Sequence, residues 1–285
     1  MFFCLGKLST MLKFGPALLG LVIIANPAEA LAHELWIDPA KFQLVHNDKL
    51  VADIKVGQNF KGNRQSYFPE NFIRFDVARG DEIKPVEGRL GDRPAANIDP
   101  LGDGLNVLIY QSDVLKVYYN EWAKFVSFAE HKDFKDVETR HVQRGIPKDE
   151  RFTEVYARYA KSLIAVGEGK GKDRVFGLET EIVALENPYT GMMDDGLDIS
   201  VLYKGQPRTN AQVEVFERSP VTDQEVRVFT TLTDEDGVAT IDVKPGYSYQ
   251  LDAVVLREPD PVLFEGAAWE TLWANLTLAI PATDE

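Results

Sequence analysis

Cysteine is almost missing from this chain of 285 residues: the one copy, Cys4, lies near the N-terminus, inside the segment that reads as a leader. A product without that segment forms no disulfide and offers no thiolate to a metal or a substrate. Cys4 also precedes the apolar run, whereas a lipid anchor needs its cysteine after such a run, so no membrane anchor is expected. Long apolar stretches are scarce as well; beyond the first run, none approaches the roughly 18 residues that cross a bilayer. Only four histidines are present, none in a His-Glu-x-x-His pair, and no Gly-x-Ser-x-Gly elbow occurs, which excludes the common zinc-protease and serine-hydrolase plans. Basic residues are outnumbered 31 to 45 by acidic ones, and the resulting charge of −14 repels nucleic acid while keeping an exported protein soluble.

What is present begins with an address. Lys7 and Lys13 precede an apolar run from Phe14 to Ala25, and small residues follow at Ala28, Ala30 and Ala32. This three-part pattern predicts a signal peptide over residues 1–32 and a periplasmic product. About 255 residues then remain, enough for one large or two ordinary domains. At 45% hydrophobic and 27% charged residues, the remainder reads as globular.

The expected fold class is mainly β, in two β-sandwich-like modules with one or two helices inserted between them. The first module spans 33–190. Its strand signals are Glu34 to Ile37, Lys49 to Val56, Phe72 to Val77, Leu105 to Tyr110 and Val114 to Tyr118, with a connection from Leu90 to Asp103. Trp122, Phe125, Val126, Phe128 and Ala129 recur at helical spacing and predict a helix over 121–134. A second helix is predicted from Lys148 to about Ala160, where Pro147 and Asp149-Glu150 supply a start signal and Phe152, Val155, Tyr156 and Tyr159 share a helical face. A strand at Leu163 to Val166 and another at Leu178 to Leu185 follow. The second module, 191–285, shows strands and turns at the even spacing of an immunoglobulin-like or transthyretin-like sandwich. Its last strand, Trp269 to Leu278, closes that module or returns to the first.

Several motifs resolve into ordinary structure. Gly167-Glu168-Gly169-Lys170-Gly171 lacks the hydroxyl residue and helix start of a phosphate loop and reads as a hairpin connection. Asp234, Asp236 and Gly237 resemble the start of a calcium loop but lack its closing carboxylate, so a tight turn is expected. Trp269, Trp273 and Phe264 have the chemistry to stack on a sugar, although aromatics in a terminal strand more often plug a core.

His33 is set apart by its position beside the cleavage region. Cleavage after Ala30 leaves Leu31-Ala32-His33, whose amine, amide nitrogens and imidazole can form a square-planar set for copper(II) or nickel(II). Cleavage after Ala32 leaves His33 itself at the terminus, where amine and ring nitrogen can chelate together. His131 and His141 are the candidate completing ligands, with Glu130 and Asp133 as oxygen donors.

The chain resembles a bacterial periplasmic family known as a domain of unknown function, DUF4198. The resemblance is carried by His33-Glu34-Leu35-Trp36-Ile37 with Pro39, by Tyr156-Ala157-Arg158-Tyr159-Ala160-Lys161, and by Glu181-Ile182-Val183 with Asn187-Pro188-Tyr189. Thr233-Asp234 with Gly237 and Trp269-Glu270-Thr271-Leu272-Trp273 complete it, covering nearly the whole predicted product. It implies export, a β-rich fold with an immunoglobulin-like C-terminal module, and a role in handling a transition metal, since some members accompany nickel or cobalt uptake systems. The resulting expectation is a metal-binding accessory protein, not an enzyme, that captures nickel, cobalt or copper at His33, His131 and His141 for a transporter or another envelope protein. The rival expectation is a metal-free adaptor or carbohydrate-binding module. A glycosidase reading has no identifiable carboxylate pair in the sequence.

Overall fold

The computed structural model of the chain describes Met1, residues 33–221 and residues 225–283. The expected leader and its cleavage register therefore lie outside the described residues. The first part of the described chain contains β1 (Glu34–Pro39), β2 (Gln43–Leu44), β3 (Leu50–Gln58), β4 (Lys61–Gln65), β5 (Phe72–Arg79), β6 (Glu82–Pro85), β7 (Ala96–Ile98), β8 (Gly104–Ser112) and β9 (Leu115–Tyr119). Helices α1 (Trp122–His131) and α2 (Val137–Gln143) follow, then β10 (Phe152–Val166) and β11 (Thr180–Ala184). The C-terminal part holds β12 (Leu197–Tyr203), β13 (Gln206–Pro207), β14 (Gln212–Arg218), β15 (Val226–Leu232), β16 (Val238–Ile241), β17 (Ser248–Arg257) and β18 (Ala267–Ala279). The mainly β class with two helices between β-rich parts is the observed one. Among the described residues no helix is long and apolar enough to cross a membrane.

The described residues form three sheets. The largest runs β15-β14-β17-β18-β10-β8-β5-β6, with β2 and β9 also paired to β10. Its two halves come from opposite ends of the chain and meet where β18 lies parallel to β10, from Thr153↔Ala267 to Ser162↔Thr277. Along its other edge β18 pairs antiparallel with β17. The last strand thus both closes the C-terminal part and returns to the first.

Strand alternation sends successive side chains to opposite faces of this sheet. One face carries Val213, Val215, Leu251, Ala253, Ala274 and Leu276, which pack with Ile182, Ile199, Val201 and Ile241 of the sheet β11-β12-β13 and β16. The opposite face is covered by two different layers. The sheet β1-β3-β4 with β7 packs Leu35, Ile37 and Ile54 toward Phe75, Leu108, Ala160 and Ile164. Helix α1 packs Phe125 and Phe128 toward Trp269 and Trp273, with ring centroids 5.8 Å and 5.7 Å apart. The predicted apolar face of that helix is the face it buries.

The predicted helix from Lys148 to Ala160 is a strand. Phe152, Val155, Tyr156 and Tyr159 fit a helical stripe, but Ala157 and Arg158 between them and Ala160 and Lys161 just after them are buried too. The segment is enclosed on both faces and flanked by strands on both edges: β18 pairs it from Thr153 to Ser162, and on the other side β9 pairs Phe152 to Tyr156 and β8 pairs Leu163 to Val166. The strand expected at Leu163 to Val166 is simply its continuation. Three further differences are local. Helix α2 was not expected, β7 sits inside the predicted connection, and the Gly167 to Gly171 loop crosses from the largest sheet to another sheet, so it is no hairpin. Gly167, Gly169 and Gly171 all take positive φ, and Asn187 Nδ2 donates to the carbonyls of Gly169 and Gly171 at 2.8 Å and 2.9 Å, pinning the crossing. Asp234 to Gly237 is the tight turn expected: Asp234 Oδ1 accepts from the amides of Asp236 and Val238.

Candidate functional site

The two covering layers do not meet with a purely apolar seam. Between them the largest sheet presents a row of polar side chains: Glu214 on β14 pairs with Asp252 on β17, which pairs with Asn275 on β18. One step along the same face, Gln250 pairs with Thr277. From above, β1 contributes Glu34, and the residue just past α1 contributes Lys132.

These groups converge on one cation. Lys132 Nζ lies 2.6 Å from Glu214 Oε2, 3.0 Å from Asp252 Oδ2 and 3.3 Å from Glu34 Oε1. Its ammonium also stands 4.8 Å from the centre of the Trp273 ring, a cation–π distance. All four charged side chains are buried. Among the described residues, Glu34, Glu214 and Asp252 are the one group of three acidic, histidine or cysteine side chains whose donor atoms all lie within 4.8 Å of one another.

Burial sets the protonation of the trio. Loss of water pushes the Glu34 carboxyl up to about 7, against the pull of Lys132, and burial likewise raises Asp252. Burial also opposes charge on Glu214, but His131 and Lys132 outweigh it and hold Glu214 below the usual range. Of the three, Glu34 and Asp252 therefore take up a proton more readily than Glu214. Lys132 pays a burial penalty too, yet Asp252, Glu34 and Glu214 together raise its pKa and keep it an ammonium.

Many polar atoms around this centre have no hydrogen-bond partner among the described residues. They include Glu34 Oε2, Asp252 Oδ1 and both side-chain ends of Gln250 and Asn275. Buried polar groups are nearly always partnered, and these amide groups lie in the same strand pairs as Asp252 on the face that carries the trio.

The histidines expected from the sequence fall in different places. His131 Nε2 lies 3.0 Å from Glu214 Oε1 while the rest of its side chain faces solvent, and that carboxylate raises its pKa. His33 adjoins Glu34 in the chain; its carbonyl accepts from Arg158 at 2.7 Å, and its buried Nδ1 has no partner among the described residues. Burial and then Arg158 lower its pKa, which leaves a neutral imidazole. His131 thus contacts the trio and His33 is its chain neighbour, although neither belongs to the converging donor set. His141 stands elsewhere, inside an aromatic cluster: its Nδ1 accepts from Trp269 Nε1 at 3.0 Å, its ring centre is 4.3 Å from that of Trp122, and burial lowers its pKa. Of the proposed oxygen donors, Glu130 is exposed and Asp133 pairs with Lys135. Trp269 and Trp273 are core residues, closed to a sugar by Phe125 and Phe128.

The acidic trio and Lys132 were missed from sequence for a physical reason. Glu214 alternates with Val213 and Val215, and Asp252 with Leu251 and Ala253, which is the pattern of a strand with one wet face. A second layer from the other end of the chain dries that face. The only local signals were Glu34 next to His33 and Lys132 next to His131.

Fold and site together define a β-rich scaffold, a sandwich sharing its main sheet with a second β-layer and enclosing a buried charged cluster at the seam. The chain belongs to the family described as domain of unknown function DUF4198, whose model matches residues 30–255. Among curated proteins, none matches the chain.

Proposed function

We propose that this protein is an exported metal-binding accessory protein that captures a divalent transition-metal ion in the periplasm and passes it to a transporter or another envelope protein. Capture and release make and break no covalent bond. The observation that carries the reading is the convergence of Glu34, Glu214 and Asp252 within 4.8 Å beside buried, unpartnered amide side chains. Carboxylate and amide oxygens with imidazoles beside them suit nickel(II) and cobalt(II), and also manganese(II), better than they suit copper(I). The N-terminal export pattern supports the same reading, and the resemblance carried by the sequence motifs implies a role beside nickel or cobalt uptake.

The test is a calorimetric titration of nickel, cobalt, copper and manganese chlorides into the processed protein and into Asp252→Asn, His131→Ala and His33→Ala. Asp252→Asn is expected to weaken binding at least tenfold, with a smaller loss for His131→Ala. Loss of binding in His33→Ala alone would move the site to the processed terminus, whose sequence mass spectrometry establishes. No binding of any of the four ions by the unmodified protein would refute the capture reading.

A further inference from the structure

Lys132 has no more to give than the trio takes. An ammonium carries three N–H donors, and Glu34, Glu214 and Asp252 each face it with one oxygen. That leaves acceptors over: the second oxygens of Glu34 and Asp252 and the amide oxygens of Gln250 and Asn275, all without a donor among the described residues. Gln250 and Asn275 are themselves buried to 0% and 3% exposure. The trio thus offers six carboxylate oxygens, of which the ammonium uses three, His131 one, and two have no donor among the described residues, so it holds more oxygen ligands than a tetrahedral ammonium can use.

Resting on the capture reading, we propose that Lys132 is the resident cation of this chamber and that a six-coordinate divalent ion enters only by exchanging with its ammonium. Such an ion sits about 2.1 Å from its oxygens. Lys132 Nζ already lies 2.6 Å from Glu214 Oε2 and 3.0 Å from Asp252 Oδ2, so an ion bound to the same oxygens would touch it. Two cations at that separation in a dry site repel too strongly to share it. Exchange keeps a positive charge among the carboxylates before, and after, loading. It also provides a return path, because the tethered ammonium competes with the cargo at high effective concentration and promotes release. The position of Lys132 suits the movement: it is the residue that caps α1, followed at once by Asp133 in the left-handed conformation at a turn. A donor set of carboxylate oxygens favours ions that accept oxygen ligands over zinc, which prefers four ligands rich in nitrogen and sulfur.

Two measurements test this, each with nickel chloride and manganese chloride as probes on the processed full-length protein. In the first, calorimetry compares wild type with Lys132→Met and Lys132→Gln. Exchange predicts at least tenfold tighter binding in both variants, and a melting temperature for Lys132→Met that rises on adding metal more than that of wild type. In the second, wild type is acetylated with an N-hydroxysuccinimide ester, and mass spectrometry follows Lys132. The ammonium should be protected without metal and labelled with it. If wild type binds metal, the variants bind no tighter and Lys132 stays protected, the exchange falls while the capture reading stands. If neither wild type nor the variants bind, both fall together. Should the variants not fold, the labelling of wild type decides alone.

Discussion

Lys132 Nζ donates to Glu214 Oε2 across 2.6 Å, tying the residue that ends α1 to the middle of β14 in a setting where neither side chain is more than 7% exposed. A pair so enclosed does not behave like one on the surface. Removing Glu214 takes away one of the ammonium's three acceptors and leaves Asp252 and Glu34, so Glu214→Ala should lower stability by roughly 1.5–3 kcal/mol in urea unfolding. A loss below about 1 kcal/mol would be that of a solvent-screened pair and would mean that the seam is wet.

A second buried carboxyl, Glu154 on β10, gives a prediction in pH. Thr271 donates its hydroxyl to Glu154 Oε1, yet complete burial dominates and pushes the carboxyl from 4.5 up to about 7. Since the folded value is raised, its contribution is fully present below pH 4.5 and is lost as pH climbs through 7. Glu154→Gln should remove up to about 3 kcal/mol of the stability lost between those limits. The part due to Glu34 should remain. Urea midpoints at pH 4.5, 6 and 8 measure the slope, and an unchanged slope in the variant counts against a neutral Glu154.

His141 is a test of structure against ligation. It accepts from Trp269 and fills space against Trp122 and Phe152, so His141→Ala should cost about 2–4 kcal/mol through the lost bond and the cavity. Nickel affinity should stay within twofold of wild type. The reverse pattern, intact stability with affinity lost, would place His141 among the ligands.

Gly62 reports on the layer above the chamber. A Cβ there would come within 2.6 Å of the Val56 carbonyl oxygen and 2.7 Å of the Trp36 ring. Gly62→Ala should therefore push β4 off β3 and cost about 1–3 kcal/mol, read as a fall in melting temperature. Wild-type melting would show that the hairpin moves freely without disturbing Trp36.

Much of the architecture was legible without coordinates because it depends on short-range pattern. The runs that became β1, β3, β5 and β8, the Asp234 to Gly237 turn and the apolar face of α1 all depend on neighbours within a few residues, and each formed about where its pattern lay. The stretch from Phe152 to Ala160 escaped that reading. Its spacing matched a helix, and it became a strand because β18, β8 and β9, from distant parts of the chain, claimed its backbone edges.

The chamber was hidden for a related reason. Periodicity tells how often a side chain turns inward, but not whether its other face will also be covered. Glu34, Lys132, Glu214 and Asp252 each look like solvated residues in their own stretch. Only the stacking of β1 and the end of α1 on one sheet removes water from all of them at once, and desolvation is what turns scattered surface charges into a strongly coupled site.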